Sequence, residues 1–584
     1  MGALPRKAWL PLLLCAALSL PALFVGFTHD DLLQRLLLEQ RIPEIQVGAS
    51  ALYDFTPPSY GANAQRATGV MPWFVDPELK LRFFRPLSSL SLALDHVVFG
   101  RRALPAHLQS LFWLLLLTFV AQRLYSRWFS ARAAWLSSLV FALSGVHAVP
   151  SAWLASRHTL LAAAFGSLSL LSWVRFREDR FRLGFFLAPA LLLASLLTSE
   201  SGLVSVVLLV GYELGTRGLR QGLRGSSPHW SLALSYLAAY AALGYGTRAS
   251  SFYVSPFDSP LRYLSQALYG VPALVVELLL GLPSAVASFV PGAQVLFVAL
   301  GLLALVLFAA ALHAVRSELS QSAQRTLTWL SLATLLSLWA LVGAVVTGRV
   351  LPLPLLGAAA VVGNLLSAAW SKAFAPANGQ AANKTWLVPI VLLGALHFGL
   401  SPLARIGTAV QFRAFARAQQ ELAQKADLGG CEKRGTLYLL TGADPVLALY
   451  TGLALRFYTP EKAGAERLRV LSMAPHRQRL KRIAQNGFEL EVLDRPRKVN
   501  PFESLYLAPE RPLTAGQSIR AGELQATVLA AASSVFTKVR FDFDGELARD
   551  VCFLVWTGQE LRHLPLPELG ASAQVPYELG PMGM

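Results

Sequence analysis

Two adjacent carboxylates follow the first apolar run of the chain. The run ends at Phe27 and is followed by Thr28-His-Asp-Asp31, which places Asp30 and Asp31 at the mouth of a predicted membrane helix. A carboxylate in such a place can serve as a general base, because partial burial raises its pKa toward neutral pH. Asp is also favoured at the start of a helix, where its charge suits the N-terminal dipole. Asp30 and Asp31 are therefore candidates for a catalytic base, with capping of a helix over 32–40 as the structural alternative.

Two arginines stand in the polar segment that follows. Leu81-Arg-Phe-Phe-Arg-Pro-Leu87 contains Arg82 and Arg85, and the next residues carry leucines at the spacing of an amphipathic helix lying on the membrane. The guanidinium fork matches the geometry of a phosphate, so both arginines are candidate substrate-binding residues. Contact with lipid head groups is the alternative for both.

Three more ionisable residues lie near the ends of predicted membrane spans. They are His147 in Phe141-Ala-Leu-Ser-Gly-Val-His147, Arg157 in Ala152-Trp-Leu-Ala-Ser-Arg-His158, and Glu200 in Leu197-Thr-Ser-Glu-Ser-Gly202. Such residues are functional candidates, because the bilayer core offers a charged side chain neither water nor a counter-charge. We treat all three as candidate substrate-binding residues, although Arg157 could instead extend to the membrane surface and Glu200 could be an ordinary loop residue.

The composition indicates an integral membrane protein. Of 584 residues, 54% are apolar and 15% charged, and the mean hydropathy is +0.47. The formal net charge is +17, but much of the basic excess lies in short loops between apolar runs, where Arg and Lys set the topology. This placement argues against nucleic acid as a partner.

The apolar runs predict about 11 to 13 membrane spans, starting with residues 8–27. Arg6 and Lys7 before this run predict a cytoplasmic N-terminus, and the basic loops at 123–132, 175–182 and 217–224 are also predicted to be cytoplasmic. The segment 28–103, the turn with Arg157 and the turn with Glu200 then share the other face. Further predicted spans are 104–122, 133–150, 159–174, 183–198, 201–215, 231–246, 325–347, 350–371 and 385–402. The stretch 261–315 is predicted to hold either two spans or one span and a Pro-bent surface helix.

Hydropathy divides the chain into two parts. Residues 1–402 form a predicted membrane domain with a large non-cytoplasmic first loop, 28–103, and residues 403–584 form a predicted small soluble α/β domain. Strand-like runs in the second part cover 436–440, 468–472, 488–492 and 551–556. The predicted fold class is thus a polytopic α-helical membrane protein with a C-terminal α/β domain.

The cysteines predict neither a metal nor a cofactor. The chain has three, with no Cys-x-x-Cys motif and no Cys/His cluster at metal-site spacing. Cys431 and Cys552 both fall in the C-terminal domain and could form a disulfide if that domain is exported. Loop charges alone leave its side open, and we predict a periplasmic domain that rests over the membrane cavity.

Three sequence blocks together resemble a known family. The run Phe84-Arg-Pro-Leu-Ser-Ser-Leu-Ser-Leu-Ala-Leu-Asp95, followed by Phe99-Gly100 and His107-Leu108, resembles the segment after the first loop of polytopic GT-C glycosyltransferases. The likeness is to those similar to protein O-mannosyltransferases and their transmembrane relatives with tetratricopeptide repeats. The later blocks that match are Phe141-Ala-Leu-x-x-Val-His147, Trp153, Arg157, Leu160-Leu161 and Ser199-Glu200.

The resemblance implies a GT-C-like fold and transfer of a sugar from a polyprenyl-phosphate donor at the non-cytoplasmic face. By it, Asp30 or Asp31 would be the base, and Arg85 or Arg157 would hold the lipid phosphate. The implied partners are membrane lipid, the lipid-linked sugar donor and an unknown protein, lipid or glycan acceptor, in a bacterial inner membrane. A non-enzymatic scaffold or transporter with a degenerate fold is the alternative, since Val149 and Thr159 stand where the family commonly has acidic residues.

Overall fold

The computed structural model describes residues 9–42, 44–374, 382–431, 436–460, 467–494, 500, 502–532 and 535–583. Helices dominate up to residue 425, and strands dominate from residue 436 onward. This confirms the predicted multi-pass helical membrane protein with a sheet-containing C-terminal domain. Arg6 and Lys7, on which the predicted side of the N-terminus depends, lie outside the described residues.

The described helices before the C-terminal domain, in chain order, are α1 (Leu10–Ser19), α2 (Asp30–Leu38), α3 (Ala62–Thr68), α4 (Pro86–Phe99), α5 (Ala103–Trp128), α6 (Ala131–Leu143), α7 (Ala148–Ala152), α8 (Arg157–Glu178), α9 (Gly184–Thr198), α10 (Leu203–Arg217), α11 (Leu219–Gly225), α12 (Ser227–Ala242), α13 (Pro260–Leu280), α14 (Ala285–Phe289), α15 (Ala293–Ala314), α16 (Gln321–Leu341), α17 (Leu355–Phe374), α18 (Leu387–Gly394) and α19 (Ser401–Lys425). Short 3-10 turns that matter below are Leu20–Phe24, Gly145–His147, Leu154–Ser156, Glu200–Gly202 and Gly348–Val350.

Seven helical stretches among the described residues are long and apolar enough to cross a membrane: Ala103–Trp128, Ala131–Ala152, Leu154–Glu178, Pro260–Leu280, Ala293–Ala314, Leu355–Phe374 and Lys384–Lys425. Leu10–Phe24, Pro86–Phe99 and Gly184–Thr198 are shorter apolar helices. The predicted total of about 11 to 13 also counts shorter or more polar helices, such as α9, α10 and α16.

Local sequence signals set several helix ends. The side chain of Ser130 accepts a hydrogen bond from the backbone of Ala133 at the start of α6, and Ser320 does the same at the start of α16. Gly26 has a φ of +89° shortly after the first apolar helix, Leu10–Phe24. Glycine adopts this conformation without steric cost, so the chain can turn there into the polar segment that carries Asp30 and Asp31.

The first loop is built from α2, α3, α4 and a short strand, β1 (Lys80–Arg82). This strand pairs antiparallel with β2 (Gly246–Arg248), which follows α12, so the loop is tied to a second connection on the same face. Leu90 and Leu94 on α4 are exposed, whereas Asp95 on the opposite side is fully buried. The exposed leucines give α4 an apolar outer face, as the spacing predicts.

The C-terminal domain contains two sheets. One is four-stranded in the order β11-β10-β3-β4, with β10, β3 and β4 parallel and β11 antiparallel, and the other is an antiparallel sheet in the order β12-β5-β6-β9-β8-β7. All four strands predicted from the sequence are present, as β3, β4, β6 and β10. The elements are β3 (Thr436–Leu439), α20 (Thr451–Tyr458), β4 (Arg467–Val470), β5 (Gln478–Arg482), β6 (Gly487–Val492), β7 (Ser518–Ala521), β8 (Leu524–Ala532), β9 (Val535–Phe543), α21 (Leu547–Asp550), β10 (Cys552–Trp556), β11 (Leu561–His563) and β12 (Ser572–Val575), with a π-helical turn, Val446–Tyr450, before α20.

The first loop and the C-terminal domain share one hydrophobic core. Leu32 and Leu36 of α2 belong to the same buried cluster as Leu437 and Leu439 of β3. Trp73 of the loop donates its indole N–H to the carbonyl of Leu471 (2.9 Å). The C-terminal domain therefore lies on the same face of the membrane part as the first loop.

A disulfide joins the end of the last long helix to the four-stranded sheet. Cys431 follows α19 and Cys552 begins β10, and their Cα atoms are 6.0 Å apart. Such a bond stabilises a fold mainly by restricting the unfolded chain, and it persists only in an oxidising compartment.

We predict that this disulfide is present in the protein isolated from membranes. The Cys431→Ser, Cys552→Ser double variant should lose about 2–4 kcal/mol of stability, which would appear as a lower Tm in detergent. A maleimide that adds mass should label Cys431 and Cys552 only after reduction, with Cys15→Ser as the background. Full labelling without reductant would show that the pair is reduced in the cell.

Candidate functional site

Asp31 has both carboxylate oxygens occupied by backbone donors. Oδ1 accepts from the N–H of Ala155 (2.7 Å), and Oδ2 accepts from the N–H of Thr28 (3.1 Å). The side chain is buried, and this burial raises the pKa of Asp31 to about 7, although both hydrogen bonds act in the opposite direction. Asp31 thus joins the start of α2 to the turn before α8.

Asp30 keeps one carboxylate oxygen open. The hydroxyl of Tyr450 donates to Oδ1 (2.9 Å), and no donor to Oδ2 is found in the described part of the chain. Burial raises the pKa of Asp30, while the Tyr450 hydrogen bond and the charge of Arg349 lower it. A held carboxylate with a raised pKa and one open oxygen has the properties of a general base.

The residue before Asp30 has an unusual backbone. His29 has a φ of +54°, which is rare outside glycine. Its N–H donates to Oε1 of Gln419 on α19 (3.2 Å), and the Thr28 hydroxyl donates to the same oxygen (3.0 Å). Strained conformations persist where surrounding contacts hold them, and they cluster at functional sites.

An aromatic wall surrounds the His29 ring. Four rings lie within 6 Å of its centroid: Trp153, Phe412, Phe415 and Tyr450. Burial among them lowers the pKa of His29 to about 4, so its imidazole is neutral near pH 7. The wall gives the residue before Asp30 apolar surroundings with a few polar groups, a combination that is common in ligand sites.

Arg349 reaches this site from the 3-10 turn Gly348–Val350. Its guanidinium lies 5.8 Å from the centroid of the Trp153 ring, and its charge lowers the pKa of Asp30. Within the described residues, the half-buried guanidinium has neither an ion pair nor a hydrogen bond. The guanidinium of Arg349 is therefore a cation near the candidate base, and it can bind an anion without breaking another contact.

Arg85 and Glu200 form a second polar group. Nε of Arg85 donates to Oε2 of Glu200 (2.7 Å), and Nη1 donates to Nε2 of His158 (3.1 Å). The hydroxyl of Tyr240 donates to the other oxygen of Glu200 (3.2 Å). The Arg85 guanidinium also lies 5.2 Å from the centroid of the Tyr53 ring. Arg85 would have to exchange these contacts in order to hold a phosphate.

Tyr53 connects the two groups. Its hydroxyl donates to the carbonyl of Ala155 (2.7 Å), the residue whose N–H binds Asp31. Its ring lies 5.5 Å from the ring of His158, the partner of Arg85. The turn 153–158 therefore contacts Asp31, Arg85 and Arg349 through different residues.

Arg82, in contrast, closes a pair within the first loop. It donates from Nε and Nη2 to the two carboxylate oxygens of Asp54, each at 2.9 Å, and from Nη1 to the carbonyl of Gly244 (3.2 Å). The bidentate pair joins two parts of the first loop, and the hydrogen bond to Gly244 ties β1 to the connection after α12. Its position favours a structural role for Arg82.

Arg157 and His147 are both fully inside the protein. Arg157 donates to Asp95 (2.6 Å), Ser110 (2.9 Å) and the Ala106 carbonyl (2.6 Å), and also to Gln109. The His147 ring has Nε2 2.9 Å from the Phe141 carbonyl. Both side chains are instead held by these buried partners. Of the residues predicted from the sequence, the structure therefore groups four near the turn 153–158: Asp30, Asp31, Arg85 and Glu200. Arg157 and His147 are enclosed in the protein interior.

Sequence reasoning did not find Tyr450 or Arg349. Arg349 carries a signal that could have found it, because it lies between the predicted spans 325–347 and 350–371, and ionisable residues near membrane depth are functional candidates. Tyr450 has no local signal, since it comes from a different domain 420 residues along the chain from Asp30.

One group of three potential metal ligands occurs among the described residues: Cys431, Cys552 and His563. The two cysteines are joined in the disulfide, which leaves His563 as a single ligand. This group does not fit a zinc site, which needs deprotonated thiols.

Comparisons with known proteins give structural matches alone. No family model matches the sequence, and no curated protein matches it. The chain is similar to ArnT from Cupriavidus metallidurans bound to undecaprenyl phosphate, with a TM-score of 0.41 and 15% identity over 80% of this chain and 90% of that one. It is also similar to the Archaeoglobus fulgidus oligosaccharyltransferase tethered with an acceptor peptide, with a TM-score of 0.42 and 10% identity over 80% and 64%. With TM-scores below 0.5, the function has to be argued from the residues of this chain.

The buried Arg157–Asp95 pair gives a prediction about stability. Asp95→Leu leaves a fully buried guanidinium without its counter-ion, so we expect a loss of about 3–5 kcal/mol, measured as a lower Tm in detergent. The matched control is the Arg157→Met, Asp95→Leu double variant, which removes both charges and should recover most of the loss. Equal Tm values for wild type and Asp95→Leu would contradict a structural role for the pair.

Proposed function

We propose that the protein is a membrane glycosyltransferase that moves a sugar from a polyprenyl-phosphate donor to an acceptor hydroxyl. The observation that carries this proposal is the open carboxylate oxygen of Asp30 next to the unpaired guanidinium of Arg349. A base and a cation within electrostatic reach of each other match the two charge changes of such a transfer. Undecaprenyl phosphate, which the ArnT structure contains, is the type of lipid that would leave.

Each residue then has a defined task. Oδ2 of Asp30 takes the proton of the acceptor hydroxyl, whose oxygen attacks the anomeric carbon of the sugar. The bond from that carbon to the phosphate oxygen breaks, and the lipid phosphate leaves with the electron pair and the negative charge. Arg349 neutralises that charge as it develops, which lowers the barrier. Attack opposite to the leaving group inverts the anomeric centre.

The polar group formed by Arg85, Glu200 and Tyr240 has the hydrogen-bonding groups that a sugar needs. Glu200 keeps its side chain 26% exposed while it holds Arg85 and Tyr240. Carboxylate and hydroxyl groups of this kind accept and donate hydrogen bonds to sugar hydroxyls. We therefore assign sugar binding to Glu200 and Tyr240, and phosphate binding to Arg349 rather than to Arg85 or the enclosed Arg157.

The proposed site lies on the non-cytoplasmic face of a bacterial inner membrane. The basic loops at 123–132, 175–182 and 217–224 favour the cytoplasm, and the first loop is on the opposite side of the spans between them. The disulfide supports a periplasmic position of the C-terminal domain, because cytosolic thiols stay reduced. The acceptor is a protein, lipid or glycan that presents a hydroxyl there.

We expect Asp30→Asn to lower the transfer rate by about 10²–10⁴-fold, because the amide cannot take a proton. The assay uses membrane vesicles with endogenous acceptors and a panel of radiolabelled polyprenyl-phosphate sugars. In the wild type the rate should fall as the pH is lowered through the raised pKa of Asp30, above the usual carboxyl range, because protonation removes the base.

The matched control is Asp258→Asn, the same change at an exposed carboxylate in a loop. Wild-type rates in Asp30→Asn would remove the proposed base. Wild-type vesicles that transport a labelled sugar or lipid without any covalent product would favour the scaffold or transporter alternative.

Arg349→Gln should raise the KM for the donor by about 10-fold or more and also lower kcat, because a charge-assisted phosphate contact is lost. Arg248→Gln makes the same change at an exposed arginine and should leave both constants unchanged. Steady-state rates at varied donor concentration measure both constants. Unchanged donor kinetics in Arg349→Gln would assign the phosphate to another cation.

A further inference from the structure

We propose that Tyr450 of the C-terminal domain is a positioning residue for Asp30, and that the proposed base is complete only when this domain is docked on the first loop. The inference rests on the proposed function for its catalytic part. Its geometric part, the pairing of the Tyr450 hydroxyl with the Asp30 carboxylate, can be measured without any activity.

The contact is specific to one oxygen of the carboxylate. The Tyr450 hydroxyl donates to Oδ1 of Asp30 at 2.9 Å, and its ring lies edge-on to His29 at 5.0 Å between centroids. These two contacts fix the rotation of the carboxylate, and they leave Oδ2 as the oxygen that can meet an acceptor. A hydrogen bond to an ionised group is stronger and shorter than a neutral one, so it defines an orientation well.

The segment that carries Tyr450 is itself unusual. Tyr450 ends a π-helical turn, Val446–Tyr450, and π-helical turns occur frequently at functional sites. The start of this turn is fixed by the buried Asp444, whose Oδ1 accepts from the N–H groups of Val446 (2.7 Å) and Leu447 (3.2 Å). Two distorted segments, this turn and the backbone of His29, therefore meet at Asp30.

Several charged and titratable groups face Asp30. His29 and Asp31 come from its own segment, Arg349 comes from the turn before α17, and Tyr450 and Tyr506 come from the C-terminal domain. Of these, Tyr450 is the one that donates a hydrogen bond to the Asp30 carboxylate in the described residues. Loss of this donor removes stabilisation from the charged form of Asp30, so its pKa should rise.

The chain offers a matched control on the next helical turns. Tyr458 ends α20, and its hydroxyl also donates to the N-terminal part of the chain, but to the backbone carbonyl of Phe27, directly before the first loop (3.2 Å). Tyr450→Phe and Tyr458→Phe thus remove one interdomain hydrogen bond each. A purely structural role of the interface would make the two variants behave alike.

The first measurement follows Asp30 directly. A hydrophobic carbodiimide reacts with protonated carboxyl groups and leaves a stable N-acylurea, and mass spectrometry of the full-length protein's peptides can quantify this adduct on Asp30 against pH. We expect the midpoint of labelling to move to higher pH in Tyr450→Phe, by about half a unit to one unit, and to stay in place in Tyr458→Phe. An Asp31→Asn background confirms which carboxylate is modified.

The second measurement is the rate of sugar transfer against pH. In Tyr450→Phe the acid limb of the rate profile should move to higher pH. The transfer rate should fall by about 3- to 10-fold at pH values on the limb, where the base is partly protonated, and should recover to the wild-type rate at higher pH. Tyr458→Phe should keep the wild-type profile. A shifted acid limb that recovers at higher pH marks an effect on the base, which general destabilisation does not produce.

The outcomes separate this inference from the proposed function. If the wild type transfers sugar but Tyr450→Phe matches Tyr458→Phe in both measurements, the positioning role is overturned. If the wild type transfers nothing while the labelling midpoint still moves in Tyr450→Phe alone, the proposed function fails and the pairing of Tyr450 with Asp30 is supported. A lower Tm common to both variants, without a shifted midpoint, would also overturn the positioning role.

Discussion

The two backbone hydrogen bonds accepted by Asp31 are the contacts on which the site depends. A buried carboxylate is costly unless donors satisfy it, and the N–H groups of Thr28 and Ala155 do so here. Successive residues of an α-helix are about 100° apart around its axis, so Asp30 faces different neighbours from Asp31. Asp31 thereby joins α2 to the turn before α8. Asp30 instead lies between the first loop and the C-terminal domain.

The contact between the first loop and the C-terminal domain is partly a buried hydrophobic core. Phe27, Leu32 and Leu36 are buried in the same cluster as the strands of the four-stranded sheet, so the C-terminal domain completes a core that the first loop begins. Burial of this kind is the main favourable term in holding two segments together. The Tyr450 hydroxyl is delivered to Asp30 by this packing, and the disulfide at Cys431 further restrains the connecting helix.

Hydropathy and strand patterns predict most of the architecture because they are local properties. The long helices match the apolar runs, and four strands of the C-terminal domain, β3, β4, β6 and β10, were predicted from the sequence. Among the strands that were not predicted, β5 carries alternating charges and lacks a clear local signal. The distinction between Asp30 and Asp31 could not be predicted either, because it depends on where Ala155 lies. Tyr450 reaches the site through tertiary packing, which a single sequence does not reveal.

The arginines at this face differ in what an anion would have to displace. Arg157 has its donors directed at Asp95 and neighbouring polar groups, and Arg85 is paired with Glu200, so a phosphate would have to break an existing charge-assisted bond at either one. Among the described residues, the guanidinium of Arg349 lies over the Trp153 ring and makes neither an ion pair nor a hydrogen bond. A phosphate that binds Arg349 therefore breaks no existing charge-assisted bond, and the aromatic wall beside it lowers the local dielectric, which strengthens the attraction. This difference in cost supports our proposal that the phosphate binds Arg349, an arginine that the sequence analysis did not single out.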